Sequence, residues 1–139
     1  MPLTLKVRDV MENNVVVVDG NLPAKEALNK MLKNGVWSVV VSINDLPIGV
    51  VTERDLLRRV IAKGRNIDKV LLKDVMSSPL ITIDPDAPFG EAWKLMTEKG
   101  VRRLYVIEKG KIIGRVTQTG LFKKLLDAVL TLSSIEYVI

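Results

Sequence analysis

The sequence predicts an α+β (α/β-like) fold: two β-α-β-β-α repeats packed with pseudo-twofold symmetry through their sheets. The chief observation is that the chain matches itself without a gap at an offset of 65 residues. Lys6-Val7-Arg8-Asp9-Val10-Met11 falls on Leu71-Leu72-Lys73-Asp74-Val75-Met76, Asn34-Gly35-Val36 on Lys99-Gly100-Val101, and Ile48-Gly49-Val50-Val51-Thr52 on Ile113-Gly114-Arg115-Val116-Thr117. The second observation is that strand-sized apolar runs and helix-period stretches follow one another in the same order in both copies. The third is size: one copy is too small to be very stable alone, whereas two sheets packed together bury the faces each would expose and leave ligand clefts between them. The division is repeat one at residues 1–66, repeat two at 67–130, and an apolar tail at 131–139.

Each repeat opens with a short apolar run bounded by turn residues, Val15 to Val18 before Asp19-Gly20 and Leu80 to Ile83 before Asp84-Pro85, which reads as a buried strand. A helix follows, with Pro23 or Pro88 in its opening turn. Its apolar residues are Ala27, Leu28, Met31 and Leu32, or Ala92, Trp93 and Met96, and it stops at Gly35 or Gly100. Two β-rich runs then flank a turn at Asn44-Asp45 or Lys109-Gly110, so a hairpin is expected. A last helix starts at Thr52 or Thr117 and carries Leu56, Leu57, Val60 and Ile61, or Leu121, Leu125, Leu126 and Val129. Residues 64–71 link the copies. The tail, ending Ile135-Glu136-Tyr137-Val138-Ile139, is suited to cover a neighbouring chain.

Composition narrows the function. With 47% hydrophobic and 27% charged residues the chain is that of an ordinary globular protein, and no run approaches the length of a membrane helix, so a cytoplasmic location without membrane contact is expected. Zero cysteines exclude thiol chemistry, and zero histidines remove the commonest general base and metal ligand; an enzyme is not expected. Lys+Arg exceeds Asp+Glu by 21 − 16 = 5, which favours an anionic partner. The basic residues are dispersed and only 4% of the chain is aromatic, so stacking platforms for nucleic acid are scarce.

One constellation carries chemistry. Gly49-Val50-Val51-Thr52-Glu53-Arg54-Asp55 lies where a strand hands over to a helix, a place suited to an anion, and the Asp55 carboxylate can accept two hydrogen bonds from vicinal hydroxyls. The same Thr-x-x-Asp spacing is also that of a capping box, which needs no ligand. In repeat two the threonine stays as Thr117 but Asp55 becomes Gly120. Conversely, Val101-Arg102-Arg103 stands where repeat one has Val36-Trp37-Ser38. Adjacent arginines entering a strand project to opposite faces, so one is either a solvated residue or crosses the cleft to an anion held near Thr52. Trp93 belongs to a core-like helical stripe.

These residues resemble the tandem cystathionine β-synthase (CBS) domain pair, or Bateman module, over residues 6–130. The resemblance rests on Asp-Val-Met at 9–11 and 74–76, Gly-Val-Arg-Arg-Leu-x-Val-Ile at 100–107, and Gly-x-Val-Thr-x-x-Asp at 49–55 with a weaker copy at 114–120. It implies clefts for adenosine derivatives, namely AMP, ADP, ATP or in some members S-adenosylmethionine. It also implies homodimers and a role in regulating a separate protein partner. Carried over, Asp55 holds the ribose hydroxyls, Thr52 a phosphate, and Arg102 and Arg103 approach the phosphates with help from Arg54. Val50, Met76, Ile81 and Val101 line the adenine slot. With Gly120, Arg115 and Trp37-Ser38 in place of the family pattern, the second cleft is expected to be weak or empty. The competing readings are an assembly module with a vestigial cleft and a nucleic-acid-linked regulator.

Overall fold

The computed structural model describes residues 5–134; the Ile135 to Ile139 end of the apolar tail lies outside them. In chain order the elements are α1 (Val7–Val10), β1 (Val17–Asp19), α2 (Ala24–Asn34), β2 (Ser38–Ile43), β3 (Leu46–Thr52), α3 (Glu53–Leu56), β4 (Thr82–Ile83), α4 (Phe89–Lys99), β5 (Arg103–Glu108), β6 (Lys111–Thr117) and α5 (Gln118–Ser133). The expected grammar is present in both repeats. The opening strands are shorter than expected: Val15 and Val16 precede β1, and Leu80 and Ile81 precede β4.

The chain forms two compact units. One holds residues 14–81 with 109–112; the other holds the described residues up to 13, then 82–108 and 113 onward. Each therefore combines most of the core of one repeat with the short Asp-Val-Met segment that opens the other. The compact units thus divide at different places from the sequence repeats.

In the first unit β2 is central, with β1 parallel on one side and β3 antiparallel on the other. The β2–β3 hairpin turns on Asn44 and Asp45, both at positive φ, the backbone sense that matches the right-handed twist of the strands. Val18, Ala27, Met31, Val39, Val41, Val51, Leu56 and Val60 form its core together with Leu72 and Val75 from the later segment. Burial of each large aliphatic side chain contributes about 1.5–3 kcal/mol, which is why Leu72 and Val75 belong here. Backbone bonds complete the attachment: Ala24 N–H donates to the Val70 carbonyl (2.7 Å), and Leu72 N–H and Lys73 N–H donate to the carbonyls of Leu22 and Gly20 (both 3.0 Å). The helix that begins at α3 widens into a π-type turn over Leu57–Ile61, burying Val60 while Leu57 and Ile61 remain exposed.

In the second unit β4, β5 and β6 are ordered likewise, with β4 parallel to β5. Leu104, Tyr105, Val106, Val116, Ala92 and Met96 are buried, as are Val7 and Val10 of α1. Val7 N–H and Arg8 N–H donate to the carbonyls of Ala87 and Pro85 (2.8 and 2.9 Å). Arg8 also pairs with Glu108, and this hydrogen bond holds its guanidinium above its ordinary pKa.

A glycine decides how closely each segment approaches. A Cβ on Gly49 would sit 2.7 Å from both the Met76 sulfur and the Ser77 carbonyl oxygen; Gly114 is placed likewise against Met11 and the Glu12 carbonyl. Because the Ser77 carbonyl is backbone, it cannot swing aside. Replacing Gly49 with alanine is expected to destabilise the protein by about 1–3 kcal/mol through overpacking. Urea unfolding checks this, and an unchanged midpoint would contradict the close approach.

Candidate functional site

β3 ends by delivering Val50 and Thr52, and α3 begins by delivering Asp55, so three of the expected residues meet at one junction. Thr52 is the N-cap of α3. Its hydroxyl oxygen accepts from Asp55 N–H (3.2 Å), while Asp55 Oδ2 accepts from Thr52 N–H (2.9 Å) and from the Thr52 hydroxyl (3.2 Å). The capping box is therefore formed. Asp55 Oδ1 is engaged differently: it accepts from the Ser77 hydroxyl at 3.1 Å and lies 3.9 Å from Arg59 Nε. The residue is 8% exposed.

Ser77 is held there by backbone. It forms an antiparallel bridge with Val50, in which Val50 N–H donates to Ser77 (2.9 Å) and Ser77 N–H donates to Val50 (2.8 Å). Arg59 Nη1 donates to the carbonyls of Val75 (3.2 Å) and Met76 (2.7 Å), which fixes the segment from the side of the widened turn. The result is a carboxyl group whose Oδ1 accepts from a neutral, exchangeable hydroxyl, with the half-exposed Arg59 guanidinium 3.9 Å away. A diol can replace such a hydroxyl without leaving a buried donor behind.

Val50, Thr52, Asp55 and Met76 are thus brought together. Arg54 is exposed on α3, and Ile81 is partly buried just before β4. Val101, Arg102 and Arg103 belong to the second unit. There Val101 N–H donates to the Met96 carbonyl (3.0 Å) and the exposed Arg102 accepts from Gln118 N–H through its carbonyl (2.8 Å). Arg103 opens β5 with its Nε buried and no hydrogen-bond partner for that atom. Trp93 departs from the core reading: it is 46% exposed and lines a shallow depression with Met96, Thr97, Val101 and Gln118, while Ala92 and Met96 take the buried face of α4.

The sequence reading missed Ser77 and Arg59. The signal for Ser77 was its place one residue beyond the repeated Asp-Val-Met; at the matching place in repeat one stands Glu12. In the second unit Thr117 keeps its capping role, its hydroxyl oxygen accepting from Gly120 N–H at 2.9 Å. Among the described residues no three His, Cys, Asp or Glu side chains gather to hold a metal ion, and no helix is long and apolar enough to cross a membrane.

The family model described as the CBS domain matches residues 7–62 and 72–127. An uncharacterised protein of Methanopyrus kandleri is 42% identical over 116 residues, covering 82% of this chain and 59% of the relative. The chain spans 42–66% of the lengths of this and two Methanocaldococcus jannaschii relatives. Among solved structures, an uncharacterised conserved protein from Pyrococcus horikoshii aligns over 100% of this chain and 99% of its own, with TM-score 0.79 and 26% identity. A hexameric CBS-CP12 protein from bloom-forming cyanobacteria aligns over 88% of this chain and 69% of its own, with TM-score 0.81 and 23% identity, a likeness of fold.

The cap gives a test that needs no ligand. Thr52→Ala is expected to lower stability by about 1 kcal/mol and Thr52→Ser to restore most of it, since either hydroxyl accepts from the helix amide. Denaturant unfolding reads both; an alanine variant as stable as the parent would contradict the cap.

Proposed function

We propose that this chain, which belongs to the CBS domain family and carries two such domains, is a regulatory module that binds an adenine nucleotide, AMP, ADP or ATP, and acts on a separate protein partner. The observation that carries the reading is the nearly buried Asp55 carboxylate, met on Oδ1 by the Ser77 hydroxyl beside an apolar Val50 and Met76. In this reading the ribose hydroxyls take the place of the Ser77 hydroxyl on Asp55, with Val50 and Met76 nearest the base; Ile81 and Val101 are assigned to the base on family pattern. Thr52, Arg54, Arg102 and Arg103 are assigned to the phosphates on residue type and family pattern. Charge-assisted hydrogen bonds of that kind contribute about 1.5–3 kcal/mol each. S-adenosylmethionine offers the same ribose with a cationic rather than anionic substituent, so the net charge of +5 favours the nucleotides.

For regulation, the ligand must bind two arrangements of the protein unequally, since equal affinity shifts no population. Self-association belongs to the same proposal. Phe122, Leu125, Leu126, Val129 and Leu130 recur at helical spacing along α5, each 45–61% exposed, a stripe that a second copy could cover. The hexameric state of the cyanobacterial relative supports assembly as a property this fold can carry. The module is proposed to work in the cytoplasm and to have no catalytic activity of its own.

Two measurements test this. Thermal melting with AMP, ATP and S-adenosylmethionine is expected to show a nucleotide-dependent rise in Tm that disappears in Asp55→Ala, while that variant without ligand loses only about 1–2 kcal/mol, the value of a cap. No rise with any of the three at millimolar concentration would leave an assembly module; an equal rise in the variant would remove the ribose role. In sedimentation, the pair Leu125→Glu and Val129→Glu is expected to shift the parent oligomer to monomer, and an unchanged oligomer would rule out the α5 stripe.

A further inference from the structure

Comparison of the two cap regions shows that the helix start of repeat two also meets a carboxylate, brought there by a different segment of the chain. At the offset of 65 residues, Asp55, Ser77 and Val50 correspond to Gly120, Glu12 and Arg115. The backbone around them is the same in kind: Glu12 N–H donates to the Arg115 carbonyl (2.8 Å) and Arg115 N–H to the Glu12 carbonyl (2.9 Å), as Ser77 and Val50 do in the first unit. The side chains differ. Glu12 Oε1 lies 2.7 Å from the point where a Cβ on residue 120 would be, so the acid fills the space that an aspartate at 120 would enter. Glu12 Oε2 accepts from Arg115 Nη2 at 3.0 Å. Arg115 is held in place of the apolar Val50 with its side chain only 12% exposed, and its Nε is buried with no hydrogen-bond partner.

The geometry points to a resident ion pair, Glu12 with Arg115, that occupies the cap region of repeat two and restricts adenine-nucleotide binding to repeat one. This rests on the nucleotide reading of Asp55 above. In repeat one a ligand displaces a neutral hydroxyl, which finds water or another acceptor at little expense, while the Arg59 guanidinium, 3.9 Å from the carboxylate and 47% exposed, stays solvated. In repeat two the ligand must part a carboxylate from a largely buried guanidinium that already has one unsatisfied nitrogen. Parting them leaves the 12% exposed Arg115 guanidinium without its carboxylate, although Glu12, 37% exposed, regains water; the uncompensated guanidinium makes this the costlier exchange. Gly120 leaves the space that the Glu12 carboxylate occupies, so an aspartate at 120 would bring a second carboxylate against it.

Calorimetric titration of the full chain with AMP tests this. The parent is expected to bind one AMP per chain. The variant Glu12→Ser, Arg115→Val, Gly120→Asp, which gives repeat two the counterparts of Ser77, Val50 and Asp55, is expected to bind two, the second more weakly because Trp37-Ser38 stands in place of the arginine pair. Two AMP per chain in the parent, or one in both proteins, overturns the inference. If the parent binds none and the variant binds one, the repeat-one reading fails while the resident pair stands; if neither binds, both fall. Should the triple variant fail to fold, melting of simpler variants decides. Gly120→Asp is expected to lower Tm in the parent, where it meets the Glu12 carboxylate, and to lower it far less in the presence of Glu12→Ser. Equal losses in the two backgrounds would overturn the pairing.

Discussion

The structure depends on two places where a strand carries no side chain. Gly49 in β3 and Gly114 in β6 let a methionine and the following backbone carbonyl lie at a distance that any Cβ would forbid. Once Met76 rests on Gly49, the bridge between Ser77 and Val50 closes, and the residue after the methionine is aimed at the start of the next helix. Met11 on Gly114 aims Glu12 in the same way. The backbone contact is thus common to both units, and what varies is the side chain it delivers.

That variation is chemical rather than architectural. In one unit a neutral hydroxyl is delivered to an acid supplied by the helix; in the other an acid is delivered to a bare helix start and is neutralised by an arginine from the strand. Both arrangements satisfy the carboxylate in the absence of any ligand. They differ in what a ligand would have to displace, a hydroxyl in the first and one half of an ion pair in the second. A duplicated fold can in this way keep one set of backbone bonds and hold two unlike chemical environments.

Much of this was legible in the sequence. The 65-residue offset, the alternation of strand-sized and helix-period runs, and the Asn44-Asp45 turn gave the elements because each depends on neighbours close in the chain. The Thr52-Asp55 pairing was legible for the same reason, being local. What was not legible was exchange: that Leu72 and Val75 complete the core of the preceding repeat, and that Glu12 reaches the helix start of the following one. These are contacts over long separations, and a single sequence carries no local pattern for them. Gly120 therefore read as the loss of an acid, when its partner stood 108 positions earlier. Trp93 was misplaced because helical spacing gives a stripe but not its edge, and the ring lies at the margin where the buried face of α4 ends.

A crystal structure of the full chain grown with AMP is the most direct measurement. The account predicts one nucleotide per chain, with its ribose hydroxyls on the Asp55 carboxylate, the Ser77 hydroxyl displaced from Oδ1, and the Glu12–Arg115 pair unbroken. A nucleotide seated on Thr117 and Gly120 with that pair parted, or one bound without touching Asp55, would contradict it.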